Sequence, residues 1–164
     1  MSGNSRIDGF PGTPRFVDAP PMLLAGLRRH HPFATAYSSI VAQWEDWRRL
    51  PELPGAVVGV TYGAICGATD DSLEYLSGVE VGDFAALPAG LGRMRVPAQH
   101  YAVFTLHGHV SLLPRAWQAI RDEWLPQSGY EPVHGPEFER YDWRFDPGSG
   151  TGTMEIWCAV RRRT

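Results

Sequence analysis

Two stretches of the chain carry apolar residues at helical spacing, and most other patterned stretches alternate as strands do. In the first, residues 34–50, Tyr37, Ile40, Val41, Trp44 and Trp47 form an apolar stripe, with Gln43, Asp46, Arg48 and Arg49 on the complementary face. Pro51 and Pro54 end it. In the second, residues 111–125, Leu113, Ala116, Trp117, Ile120 and Trp124 make the stripe, Ser111 is the expected cap and Pro126 the expected stop.

Around each helix the pattern predicts three extended segments: 15–27, 56–66 and 73–81 in the first half, then 91–106, 138–145 and 153–161 in the second. The order strand, helix, strand, strand therefore occurs twice. The helix centres near Val41 and Trp117 lie 76 positions apart, and the last strands repeat at a similar interval, which points to a duplicated unit. The expected fold is α+β: two halves, about 15–81 and 91–161, sharing one curved, mainly antiparallel sheet with both helices on one side and a ligand cleft on the other. Residues 1–14 are expected to be a flexible arm before a single domain over 15–164. In the last strand, Met154, Ile156, Cys158 and Val160 form the face expected to meet the helices, and Glu155 and Trp157 point the other way.

Composition narrows the function. At 164 residues, 43% hydrophobic and 20% charged, the chain has the apolar content for a packed core rather than a disordered segment. A net charge of −3 argues against a surface for duplex DNA, which needs clustered Lys and Arg. The apolar runs are too short to span a bilayer and residues 1–15 lack a hydrophobic signal core, so no membrane contact and a cytoplasmic location are expected. Cys66 and Cys158 read as small buried hydrophobes. His107-Gly108-His109 lacks the spacing and the carboxylate of a metal site, and capping at the strand-to-helix turn is a sufficient role, so neither metal nor cofactor is expected. No phosphate-binding glycine motif or nucleophile elbow occurs in the chain.

The second half carries Tyr101-Ala102-Val103-Phe104, Trp124-Leu125-Pro126, Gly129-Tyr130, Gly135-Pro136, Phe138-Glu139-Arg140-Tyr141-Asp142 and Glu155-Ile156-Trp157. Together these resemble the AraC-type effector-binding domain shared by gyrase-inhibitor-like proteins and the C-terminal domains of some multidrug-responsive transcription activators. In the first half, the run Tyr75 to Val79 resembles it more weakly. The resemblance implies an aromatic cleft between the halves with a final-strand carboxylate, here Glu155, at its floor. Fewer than 15 residues precede the first strand, too few for a helix-turn-helix, so the expected form is a stand-alone effector-binding protein without direct DNA contact.

Candidate ligand contacts are Glu155, Trp157, Tyr62, Tyr101, Tyr141 and Trp124. A carboxylate among aromatic faces suits a hydrophobic cation or a planar aromatic molecule. For the helix tryptophans as a group, packing against the sheet is the default, whereas strand tyrosines can face either way. Two other functions follow from the same resemblance. One is hydrolysis of an electrophilic small molecule with Glu155 as general base, which requires an apolar pocket to raise its pKa. The other is a gyrase-inhibitor-like contact with a protein partner.

Overall fold

A computed structural model describes residues 12–164; most of the arm expected over residues 1–14 lies outside the described residues. Among the described residues, nine strands and two principal helices follow in the order β1 (Arg15–Ala19), β2 (Met22–Pro32), α1 (Ala36–Arg48), β3 (Thr61–Ala68), β4 (Ser72–Val81), β5 (Gly92–Val96), β6 (Gln99–His109), α2 (Leu113–Ala119), β7 (Tyr130–Pro132), β8 (Glu137–Asp146) and β9 (Thr151–Arg162). Each long strand expected at the start of a half is split by proline, which cannot donate to a ladder. Pro20-Pro21 separates β1 from β2, and Pro97 separates β5 from β6. The segment expected to be a strand from Ala56 contributes only an isolated bridge from Ala56 to Val81 before β3 begins at Thr61.

The duplication is visible residue by residue. β1 and β5 begin at Arg15 and Gly92, β2 and β6 at Met22 and Gln99, and α1 and α2 at Ala36 and Leu113, each pair 77 positions apart. The sheet order is β1-β6-β9-β8-β3-β4-β2-β5, with β7 pairing the end of β9. Each half's first strand thus crosses to the other half: β1 edges β6 and β5 edges β2. The halves meet along the antiparallel β3–β8 seam, where Gly63 lies opposite Glu139 and Tyr62 opposite Arg140.

One face of the sheet carries the helices. Met154, Ile156, Cys158 and Val160 pack there with Leu113 and Ala116 of α2 and with Ile120 just beyond it, as strand alternation predicts. The opposite face fills itself: Leu24, Tyr62, Leu76, Met94, Tyr101, Val103 and Phe138, drawn from six strands, meet in one cluster. Curvature closes that face, so the helix-free groove expected there is reduced to a pocket of about 160 Å³. The large cavity instead lies on the helix side.

α1 meets the sheet through an unexpected residue. Gln43, assigned by periodicity to the polar face, is fully buried. Its amide donates to the Leu27 and Tyr75 carbonyls and to Ser77 Oγ at 2.9–3.1 Å, and its oxygen is 2.6 Å from His31 Nε2. A buried amide with its hydrogen bonds made is tolerated in a core. The start of the second helix also differs: His109 Nδ1, not Ser111, accepts the capping N–H. Beyond α2 a wide π turn over Ile120–Trp124 leads into a last helical turn that contains Pro126.

Candidate functional site

The cavity between α1 and α2 has a volume of about 1440 Å³. Its α1 wall includes Tyr37, Ile40, Val41, Trp44 and Trp47, the residues of the apolar stripe, and Tyr37 is 46% exposed. An amphipathic helix normally turns such a stripe into a core. Here Gln43 holds the helix to the sheet, and the stripe is left facing the cleft. Leu113, Pro114 and Trp117 form the α2 wall. The packing expected of the helix tryptophans is kept, Trp44 and Trp117 against the buried cluster beneath the helices and Trp47 against a second one, and all three line the cleft as well.

Glu139 on β8 lies on the cleft floor and is 6% exposed. Tyr75 and Tyr141 each donate a phenolic hydrogen bond to its Oε1 at 2.9 Å, and Trp117 Nε1 donates to its Oε2 at 2.9 Å. Trp44 Nε1 in turn donates to the Tyr75 hydroxyl at 3.1 Å. One carboxylate thus ties together two strands and a tryptophan from each helix. Burial raises the Glu139 pKa, and the three hydrogen bonds offset only part of that. Burial, followed by the Glu139 charge, pushes both tyrosines well above their ordinary value, so they stay protonated donors.

Gly63 makes this arrangement possible. A Cβ placed there would lie 1.8 Å from the Tyr75 hydroxyl and 2.9 Å from Glu139 Oε1. Two positions beyond Glu139 toward the strand start, Glu137 lines the same cleft, its Oε2 accepting the Ala159 N–H at 3.1 Å.

The six residues singled out from sequence divide among three places. Tyr141 is in the cleft beside Glu139. Tyr62, Tyr101 and Trp157 come together around the 160 Å³ pocket on the opposite face. Glu155 adjoins them, taking a hydrogen bond from Trp157 Nε1 at 3.2 Å. Trp124 packs edge-on against Phe104 and stacks with Tyr130, away from the cleft lining.

Glu155 is held by cations of this chain. Arg15 donates to it at 2.8 Å, and Arg144 and Arg140 lie at 3.3 and 3.4 Å. Burial alone would raise its pKa, but the hydrogen bonds from Arg15 and Trp157 and the charges of Arg15 and Arg140 outweigh it and hold the carboxyl below its ordinary value. The raised pKa required of a general base at Glu155 is found instead at Glu139. Glu139 belongs to the run Phe138-Glu139-Arg140-Tyr141-Asp142, yet only the tertiary fold distinguishes its surroundings from those of Glu155. His107 and His109 hydrogen-bond Thr153 and Ser111, and among the described residues no group of three or more His, Cys, Asp or Glu is arranged to hold a metal. No described helix is long and apolar enough to cross a membrane.

Known proteins share both the sequence and this architecture. The chain is 33% identical over 144 residues to the transcriptional regulator BrlR of Pseudomonas aeruginosa, an alignment covering 82% of this chain and 52% of that protein. The chain thus spans about half the length of that regulator. A DNA gyrase inhibitor of Erwinia billingiae is 30% identical over 136 residues, covering 74% of this chain and 86% of the inhibitor. The structure of SAV2435 bound to tetraphenylphosphonium superposes with a TM-score of 0.72 at 17% identity, covering 90% of this chain and 93% of that one, a likeness of fold. The family profile described as the GyrI-like small molecule binding domain matches residues 12–161, and the chain belongs to that family.

Proposed function

We propose that this domain captures hydrophobic cations in the cleft between α1 and α2, with Glu139 supplying the counter-charge. The observation that carries the reading is a buried carboxylate on the floor of an aromatic cavity whose three hydrogen-bond partners are all neutral. Such a carboxylate is poorly compensated, and an incoming cation makes its ionised form favourable. The faces of Trp44, Trp117 and Tyr75 would add cation–π attraction of about 0.5–2 kcal/mol each. A relative in fold that binds tetraphenylphosphonium supports this ligand class. Capture would either sequester the cation or signal its presence to a partner, as the similarity to a transcriptional regulator suggests.

The test is tetraphenylphosphonium binding followed by tryptophan fluorescence, since Trp44, Trp47 and Trp117 line the cleft. Wild type is expected to bind, and Glu139→Gln to lose at least about tenfold in affinity. Equal affinity in the two proteins rules out charge pairing at Glu139.

A second reading is favoured by the raised pKa of Glu139 next to two phenols. Glu139 would take a proton from water as it adds to an electrophilic small molecule, with Tyr75 or Tyr141 donating to the departing oxygen. Multiple turnovers that vanish in Glu139→Gln support it; conversion that stops at one equivalent rejects it.

A further inference from the structure

The cleft holds a second carboxylate that binding of a single cation at Glu139 leaves unused. Glu137 and Glu139 are alternate residues of β8, so their side chains leave the same face of the strand, and both line the cavity. Their Cα atoms are about 7 Å apart, two strand steps. Across the seam they oppose Ile65 and Gly63, which carry no charge. The cavity, at 1440 Å³, exceeds the roughly 300–1,000 Å³ of a site for one drug-sized molecule, leaving room for a ligand that reaches both.

We infer that the cleft selects rigid aromatic dications, one positive group held at Glu139 and the second at Glu137. This rests on the reading of Glu139 as a cation site and adds the class of ligand that fills the rest of the cavity. Like Glu139, Glu137 is undercompensated. Burial pushes it up to about 7, and the Ala159 N–H, the Arg121 charge and the Cys158 thiol offset only part of that. Arg121, which also lines the cleft, comes from the π turn that follows α2, and Cys158 from β9. A ligand cation supplies at Glu137 what these groups do not.

The experiment compares two probes of the same biaryl outline, 1-methyl-4-phenylpyridinium with one charge and 1,1′-dimethyl-4,4′-bipyridinium with two, by calorimetry at pH 8. Wild type is expected to bind the dication at least about tenfold more tightly than the monocation. Glu137→Gln keeps an oxygen for the Ala159 N–H, and is expected to bring the affinity ratio of dication to monocation down to about one. Equal affinity of the two probes for wild type, or a preference that survives in Glu137→Gln, overturns the inference. Monocation binding that depends on Glu139 without any dication preference removes only the role of Glu137. If neither probe binds wild type, the cation reading of Glu139 falls with it.

Discussion

Gly63 and Glu139 are each the third residue of their strand, β3 and β8, and face each other across the seam between the two halves. The duplication is broken at this point. One half supplies a carboxylate and the other supplies no side chain, and the Tyr75 ring fills the vacated space to reach Glu139. Gly63→Ala is expected to expel Tyr75 from its hydrogen bond and to cost about 1–3 kcal/mol, the range for overpacking a core. Urea denaturation reads the stability. Tetraphenylphosphonium affinity should fall together with it, because the mutation displaces a wall of the cleft and leaves Glu139 with one donor fewer.

The raised pKa of Glu139 makes cation binding depend on pH. Below that pKa the free carboxyl is neutral and must lose its proton to pair with a cation, so binding releases protons. Affinity is expected to rise with pH and then level off, with a slope of up to about tenfold per pH unit below the pKa. Calorimetry in buffers of different ionisation heat measures the proton release. An affinity that does not rise at all as pH increases from the ordinary carboxylate value of 4.5 contradicts the expectation.

Without ligand, the stability trend runs the other way. Glu137 and Glu139 have native pKa values above their ordinary 4.5, so the folded state binds more protons than the unfolded one. Their contribution is complete below 4.5 and is lost as pH rises, for Glu137 through about 7. Asp142, lowered to about 2 chiefly by its hydrogen bond from Arg144, and Glu155 behave oppositely, contributing above their ordinary values and losing that contribution as pH falls. The contribution of these four groups therefore peaks near pH 4.5. Melting temperatures from pH 3 to 8 check it, and Glu137→Gln is expected to flatten the alkaline limb.

Glu155→Gln separates the two carboxylates by function. It leaves Arg15, Arg140 and Arg144 facing one another with Asp142 as remaining counter-charge. The expected destabilisation is about 1–3 kcal/mol, less than for a fully buried pair because Arg15 is 52% exposed and screened by solvent. Tetraphenylphosphonium affinity in the cleft should stay within about twofold of wild type. A large loss of affinity with fold intact would move the cation site to the opposite face.

Gln43→Leu is expected to cost about 3 kcal/mol despite its greater hydrophobicity, because it removes a partner from His31, Ser77 and two carbonyls in a buried interface. Chemical denaturation measures this. Loss of the α1 anchor should also weaken ligand binding, since that helix carries the Trp44 wall.

Local periodicity was enough to establish the repeated strand-helix-strand-strand outline and the helix-facing side of β9, because alternation and helical spacing are properties of neighbouring residues; it did not divide β1 from β2 or β5 from β6, nor find the short β7. It also picked out the α1 stripe and the aromatic richness. What that stripe faces was decided by Gln43, whose partners on β2 and β4 are 12 to 34 positions distant in sequence. The same holds for the carboxylates. Glu139 and Glu155 both stand in aromatic-rich strands, and no feature of their neighbours ranks one above the other. Tertiary structure brings Arg15, 140 positions away, onto Glu155, and Tyr75 and Trp117, 64 and 22 positions away, onto Glu139, where Tyr141 is already a neighbour on the same strand. One carboxylate thereby meets cations of its own chain and the other only neutral donors, since compensation of a buried charge depends on what folding places within a few ångströms of it.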